Sequence, residues 1–208
     1  MSHRLYEFGL YQIVTPYFWQ CPTETLMDNY VENISENHLE VGVGSGYFLK
    51  RTLCADFVKR LVLVDLNRNC LEKSATHLQT FAPQLLHHNI LEPLQQTDRQ
   101  HQFSSAGMNY VLHCIPGGVS SQLRVFKHVK SVLRVGGVFF GATLIEKPAM
   151  HAIRAWLLMK LLAAVGIFHN RMHTIADLRQ SLESHFGQVE ITTVGHAAVF
   201  RAVKEDER

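Results

Sequence analysis

A carboxylate, three alternating glycines and a second carboxylate form the most chemically informative pattern in this sequence. Glu40 stands in an apolar run that ends in Gly42, Gly44 and Gly46, and Asp65 ends the next apolar run. Glycines after a strand can take positive φ and leave room for a ligand at the start of the following helix. An acid about 20 residues further on can accept both ribose hydroxyls. The pattern therefore indicates a nucleoside site.

Two phosphate-binding loops can be tested against these glycines. A triphosphate loop needs GxxxxGK[ST], and no Lys-Ser or Lys-Thr follows them. The dinucleotide fingerprint GxGxxG fits Gly42 and Gly44 but meets Tyr47 at its third position, where bulk hinders helix–strand contact. A turn without ligand remains possible for the glycines alone, and Asp65 alone could be a helix N-cap. Together, at this spacing, the glycine loop and Asp65 favour a site for a ribose.

Strands that alternate with helices must position these residues. Apolar strands are expected from His38, up to Asp65, before Asn89, in "SAGMNYVL" and from Gly136, with helical periodicity between them. A helix near Asn67 should turn Asn69, Leu71 and Leu78 inward. A further helix should begin at Thr174, with Asp177 completing a capping-box variant, and two strands joined at Gly195-His196 should close the fold. We expect an α/β fold: a doubly wound, Rossmann-like, mostly parallel seven-stranded sheet with one antiparallel strand from a C-terminal hairpin.

A single domain is expected from the length of 208 residues, since no linker or repeat divides the chain. Four segments are expected within it. They are an N-terminal cap segment over 1–36, a cofactor-binding core over 37–145, a lid helix over 146–173, and a closing helix and hairpin over 174–208.

Composition indicates a soluble protein without a polyanionic partner. The formal net charge is +2 and the basic residues are scattered, so nucleic acid is not expected as a partner. The apolar segment from Ala155 contains Lys160 and is too short to span a membrane. The N-terminus lacks the apolar core of a signal peptide, and the four cysteines form no CxxC pair, so a reducing cytoplasm is expected.

The order of the segments resembles that of class I S-adenosylmethionine-dependent methyltransferases. The segments "LEVGVGSGYFL", "LVLVDLN", "HHNILEP" and "MNYVLHCIPGG" are similar to successive motifs of that family, and "LRVGGVFFGATL" is similar to its fifth strand. The resemblance covers residues 38–145 and implies S-adenosyl-L-methionine as cofactor. It says much less about the acceptor of the methyl group.

The resemblance implies roles at the methionine and ribose end of the cofactor. Glu40 would hold the methionine amino group, directly or through water. Gly42, Gly44 and Gly46 would form the floor under the methionine and ribose, and Asp65 would accept the ribose hydroxyls.

Further residues would meet the adenine and the sulfonium. Leu66 would pack against the adenine, and Asn89 and Ile90 stand where the family usually has Asp and an apolar residue. The side-chain carbonyl of Asn89 can still accept from the adenine amine. Asn109, at the carboxyl end of the fourth strand, would face the sulfonium side.

His113 is the candidate catalytic residue. Methyl transfer is an in-line displacement whose reactivity comes from the cofactor, so a base is needed only where the acceptor must lose a proton early. His113 lies just past the fourth strand and titrates in a suitable range, but a packing role is the alternative. His169 and His173 have the spacing of a metal pair without a third ligand, so no metal site is expected.

The acceptor site is expected from segments outside the sheet. An aromatic N-terminal stretch and the apolar helix around Ala155 would enclose a small, apolar or aromatic methyl acceptor. The candidate substrate residues are Trp19, Tyr30, His151 and Trp156. The same helix could instead be core or the face of a homodimer.

Three functions compete at this stage. The leading one is methyl transfer to oxygen or nitrogen of a small molecule. A non-catalytic S-adenosylmethionine-binding protein is the second. A nicotinamide-dependent oxidoreductase is the third, disfavoured by Tyr47 and by the absence of a YxxxK pair.

Overall fold

The computed structural model describes residues 19–53, 57–94, 102–145 and 174–206. The predicted substrate residues His151 and Trp156, the pair His169 and His173, and the predicted lid helix lie outside these ranges. The described helices are α1 (Thr23–Asn33), α2 (Tyr47–Thr52), α3 (Arg68–His77), α4 (Gly118–Val132) and α5 (Ile175–Glu183), with short 3-10 turns at Gln79–Phe81 and Leu112–Cys114. The strands are β1 (Asn37–Val41), β2 (Arg60–Asp65), β3 (Gln84–His87), β4 (Phe103–Asn109), β5 (Leu133–Leu144), β6 (Gly187–Val194) and β7 (Ala197–Val203).

The strands form one seven-stranded sheet in the order β3-β2-β1-β4-β5-β7-β6. The pairs from β3 to β5 are parallel, whereas β7 runs antiparallel to both β5 and β6. The predicted fold class is thereby confirmed, including its single antiparallel strand. The chain leaves β1 toward β2 on one side and returns to β4 on the other. Such a reversal opens a crevice at the carboxyl ends of the central strands.

Helices cover both faces of the sheet, and β2 shows how the sequence builds the two layers. Its successive side chains point to opposite faces. Leu61 and Leu63 belong to the core cluster under α1, α2 and α3, while Val62 and Val64 belong to the cluster under α4 and α5. A strand buried on both faces reads as a continuous apolar run, which is why "RLVLVD" lacks alternation.

The helix starts follow the predicted signals in part. Thr174 caps α5 and forms a capping box with Asp177, as predicted. Asn67 caps α3 by accepting from the backbone N–H of Asn69. The inward placement of Asn69 was wrong, since its side chain is exposed in the first turn. Leu71 and Leu78 are buried as predicted.

Within the described residues, no helix is long and apolar enough to cross a membrane.

Candidate functional site

The loop after β1 has a backbone that only glycine adopts without strain. Gly42, Gly44 and Gly46 have φ values of 71°, 55° and 73°. Gly42 is required twice, because a Cβ there would also overlap the side chain of Val111. The loop therefore lies close beneath the start of the segment after β4.

Glu40 is a buried carboxylate beside this loop. It is 4% exposed, and each of its oxygens accepts one hydrogen bond. The Tyr30 hydroxyl donates to Oε1 at 2.5 Å, and His38 Nε2 lies 3.0 Å from Oε2. Glu40 lines a small cavity of about 40 Å³ together with the loop glycines and Asn109. A charge in such a place needs compensation, and the cavity leaves room for a small cationic group beside it.

Asn109 ends β4 on the opposite wall of the same cavity. Both polar atoms of its amide are buried, and within the described chain neither has a hydrogen-bond partner. The hydroxyl of Ser45, inside the glycine loop, is in the same condition. Buried polar groups are nearly always bonded, so an amide that lines a cavity without a partner in the described chain fits a polar ligand.

Asp65 joins the glycine loop to the start of α3. Its Oδ2 accepts from the Gly44 backbone N–H at 3.2 Å, and its Oδ1 accepts from that of Asn67 at 2.8 Å. A carboxylate has about four acceptor positions, so both oxygens can take further donors. The half-buried side chain also lines a second, larger cleft of about 250 Å³.

This larger cleft is mostly apolar. The residues that line it are Val41, Gly42, Val64, Asp65, Leu66, His88, Asn89, Ile90, Leu91, Val111, Cys114, Ile115 and Pro116. A mostly apolar cleft that includes one carboxylate suits a nucleoside, with the base among aliphatic side chains and the ribose at the acid.

The predicted adenine residues line this cleft with different exposure. Leu66 is 67% exposed, so its side chain is available to cover a planar ligand, and Ile90 is buried. Asn89 Oδ1 accepts from the Leu91 backbone N–H at 3.0 Å and keeps a second lone pair. The adenine contacts of these three residues stay predictions.

His113 does not lie on an open rim. It sits in the 3-10 turn after β4, is 6% exposed, and places Nδ1 3.5 Å from the Thr143 hydroxyl. Burial lowers the pKa of His113 from 6.5 to about 3. An efficient general base has a pKa near the operating pH, so this imidazole is neutral but a poor proton acceptor. The geometry favours the packing alternative over catalysis.

The two predicted substrate residues within the described ranges have separate surroundings. The Tyr30 ring packs between Phe48 and Phe140, with centroid distances of 5.2 and 5.1 Å, and its hydroxyl reaches Glu40. Trp19 is buried, and its backbone carbonyl accepts from the His196 N–H at the β6–β7 turn. Tyr30 thus lies at the expected cofactor end, and a contact of either residue with an acceptor stays a prediction.

Two buried residues behind Glu40 escaped sequence reasoning. His38 precedes Glu40 by two positions on β1 and so points to the same face of the strand. Ser105 on β4 lies 2.8 Å from His38 Nδ1. The alternation "HLE" could have indicated His38, whereas the pairing with Ser105 depends on the register of β1 with β4.

The described residues provide no group of three His, Cys, Asp or Glu side chains that could hold a metal ion. The polar atoms of Glu40 and Asn109 around one cavity, and Asp65 in the adjoining cleft, fit the two ends of S-adenosylmethionine.

Known proteins resemble this chain over nearly its whole length. Residues 17–185 match a family model described as a methyltransferase domain. The chain is 33% identical over 202 residues to demethylluteothin O-methyltransferase of Streptomyces thioluteus, covering 97% of this chain and 87% of that protein. It is 35% identical over 187 residues to the N-methyltransferase vrtF of Penicillium aethiopicum, covering 88% of this chain and 76% of that protein.

A solved structure shares the fold. The N-methyltransferase NodS from Bradyrhizobium japonicum WM9, in complex with S-adenosyl-L-homocysteine, aligns with a TM-score of 0.63 at 14% identity. The alignment covers 88% of this chain and 85% of NodS.

Proposed function

This chain belongs to the methyltransferase-domain family, and we propose that it transfers the methyl group of S-adenosylmethionine to oxygen or nitrogen of a small, apolar or aromatic molecule. The observation that carries the proposal is the pair of adjoining cavities at the carboxyl ends of β1, β2 and β4. One is polar and is lined by Glu40 and by Asn109, whose amide has no hydrogen-bond partner among the described residues. The other is mostly apolar and includes Asp65 in its lining.

The polar cavity suits the amino-acid part of the cofactor. The carboxylate of Glu40 would neutralise the ammonium group, and the Asn109 amide would supply both a donor and an acceptor. In the apolar cleft, Asp65 would accept the ribose hydroxyls while Leu66 and Ile90 enclose the base.

Alignment and the exclusion of water are the main tasks of the protein in such a reaction. The cofactor, when bound, supplies a methyl group already activated by the positive sulfur. The chain would contribute by fixing both ends of the cofactor. The methyl group is then held in one orientation, so that the acceptor atom can approach it in line with the sulfur. No strong base is supplied by His113, whose pKa of about 3 is unsuited to the role. Acceptors that lose their proton readily, such as phenols, suit this arrangement best.

The relatives support the choice of acceptor class. One is named as an O-methyltransferase and another as an N-methyltransferase, which leaves the atom open between oxygen and nitrogen.

Titration calorimetry with S-adenosylmethionine and its product S-adenosylhomocysteine tests the cofactor. The purified protein should bind both. Asp65→Ala should weaken binding by about 1.5–3 kcal/mol, the size of a hydrogen bond to a charged group. Asp28→Ala, at an exposed acid on α1, is the matched control and should bind like the wild type. Absence of binding by the wild type would refute the cofactor, and unchanged affinity in Asp65→Ala would mean that the ribose is misplaced.

Turnover against a panel of phenols, carboxylic acids and amines tests the reaction. Transfer of labelled methyl to one class identifies the acceptor chemistry. Binding of cofactor without transfer to any of them would instead favour a non-catalytic binding protein.

A further inference from the structure

We propose that Tyr30 and His38 are positioning residues that aim the Glu40 carboxylate at the amino group of the cofactor, with Ser105 fixing His38 from behind. The proposal rests on the cofactor assignment above. It adds a role for residues outside the glycine loop and Asp65, which is to orient the carboxylate of Glu40. Tyr30 was predicted as a substrate residue, and its hydroxyl is here assigned to the acid instead.

Each oxygen of Glu40 is held by a different element. The Tyr30 hydroxyl comes from α1 and donates to Oε1, while His38 on β1 meets Oε2 at 3.0 Å. A carboxylate only accepts, so His38 must carry its proton on Nε2. Rotation of the carboxylate about its last bond would break both contacts together. The two donors thus fix the plane of the group as well as its position.

His38 is itself fixed from the far side. Its Nδ1 lies 2.8 Å from Ser105 Oγ, and the same oxygen accepts from the Ser35 backbone N–H at 2.9 Å. The ring of His38 also lies 5.7 Å from that of Phe140. A continuous line of contacts therefore runs from partly buried Ser35, just before β1, through buried Ser105 and His38 to Glu40.

Gly107 closes the remaining direction. It lies opposite Glu40 in the β1–β4 register. A Cβ at this position would lie 3.2 Å from the His38 ring and still closer to Oε2 of Glu40. The carboxylate thus fits against bare backbone on one side, and on another side it lines the cavity that it shares with Asn109.

Packing alone does not require this arrangement. The ring of Tyr30 is already held by Phe48 and Phe140, so its hydroxyl adds nothing to those ring contacts. Burying a carboxylate and an imidazole costs desolvation that apolar residues of similar size would avoid. An oriented acid beside a cavity is explained by a cationic ligand group.

Two ligands separate positioning of Glu40 from a general effect on the fold. S-adenosylhomocysteine carries the amino group, whereas 5′-methylthioadenosine has the same nucleoside and lacks the amino-acid part. Tyr30→Phe and His38→Leu should each weaken binding of S-adenosylhomocysteine about tenfold. Both should change the affinity for 5′-methylthioadenosine by less than about twofold, the usual error for independent sites. Calorimetry measures both constants.

Three further variants make the result specific. His38→Gln keeps an N–H at the reach of Nε2 and should recover most of the affinity that His38→Leu loses. In a Glu40→Gln background, Tyr30→Phe and His38→Leu should have little further effect, because their target is gone. His185→Leu, at a half-buried histidine after α5, is the control and should bind both ligands like the wild type.

The outcomes distinguish this proposal from the proposed function. Wild-type protein that binds neither ligand refutes the cofactor itself. Wild-type binding with unchanged affinity in Tyr30→Phe and His38→Leu overturns the positioning role and leaves the cofactor intact. Equal losses for both ligands also overturn it, since they indicate a structural effect. Should His38→Leu fail to fold, Tyr30→Phe decides alone, because it keeps both ring contacts.

Discussion

At the scale of single residues, burial assigns different roles to two polar side chains that are near each other in sequence. Asn109 and His113 both follow the end of β4. The Asn109 amide faces a cavity and has no hydrogen-bond partner in the described chain, which fits a contact with a ligand. His113 faces Thr143 on β5, and burial moves its pKa far below neutrality. Histidine is a residue type common in catalysis, but His113 is buried against β5, whereas the less reactive amide of Asn109 faces a cavity.

The low pKa of His113 predicts a dependence of stability on pH. The folded value of about 3 lies below the ordinary value of 6.5, so the unfolded chain takes up a proton that the folded chain refuses. Stability from this residue is complete above pH 6.5 and is lost as pH falls toward 3. Between pH 7 and 5 the free energy of unfolding of the wild type should fall by on the order of 2 kcal/mol more than that of His113→Asn.

Urea unfolding of both proteins at several pH values measures this difference. Thr76→Ala, at an exposed residue that does not titrate, serves as the control and should keep the pH dependence of the wild type. Parallel curves for the wild type and His113→Asn would contradict the burial of an uncharged imidazole.

At the scale of elements, the ends of three parallel strands carry the residues of the candidate site. Helices cover the two faces of the sheet that these strands belong to. Glu40, Asp65 and Asn109 lie at the carboxyl ends of β1, β2 and β4, on the same side of the sheet. Helix α5 covers one face through Leu178 and Leu182, far along the chain from any of them. The stability of α5 depends on its N-terminal cap, which is recognisable in the sequence.

The capping box of α5 gives an element-scale prediction. Thr174 Oγ1 accepts from the Asp177 N–H at 3.1 Å, and Asp177 accepts in return from the Thr174 N–H at 3.0 Å. Thr174→Ala should lower the free energy of unfolding by about 1 kcal/mol, because it leaves a backbone donor without its side-chain partner. Chemical denaturation provides the measurement.

Thr76→Ala is the matched control, since Thr76 is an exposed threonine near the end of α3. It should be neutral or slightly stabilising, because alanine is the better helix former. A similar loss in both variants would show that the cap contributes nothing specific.

At the scale of the whole molecule, the reversal of strand order between β1 and β4 unites cavities built from distant parts of the chain. A ligand that occupies both would bridge the glycine loop, the end of β2 and the end of β4. It would therefore stabilise the folded chain as a unit and not only the loop that it touches.

Thermal unfolding with S-adenosylhomocysteine tests this coupling. At a free concentration of 100 times Kd the ligand should stabilise the protein by about 2.7 kcal/mol, which raises Tm in a single transition. Asp65→Ala should show a smaller shift at the same concentration. A ligand-dependent rise in only part of the transition would mean that the two cavities belong to separately unfolding regions.

Much of this fold could be predicted because its signals are local. Buried parallel strands read as apolar runs, the glycines mark the turn after β1, and the Thr174 cap is a four-residue pattern. The partners of Glu40 could not be predicted, since Tyr30 lies on a helix and Ser105 lies on a strand 65 residues away from Glu40. The burial of His113 was equally hidden, because a single 3-10 turn has no periodicity to show which side faces inward.

The position of β7 between β5 and β6 has a consequence for folding during synthesis. The strand that pairs with β5 is the second strand of the hairpin, so β5 stays unpaired along that edge until residues 197–203 have been made. This open edge of seven residues, 138–144, contains Val, Phe and Leu and is a template for association between nascent chains. We expect the need of the protein for chaperones to depend mainly on how long β5 stays unpaired during synthesis, and less on any property of the finished sheet.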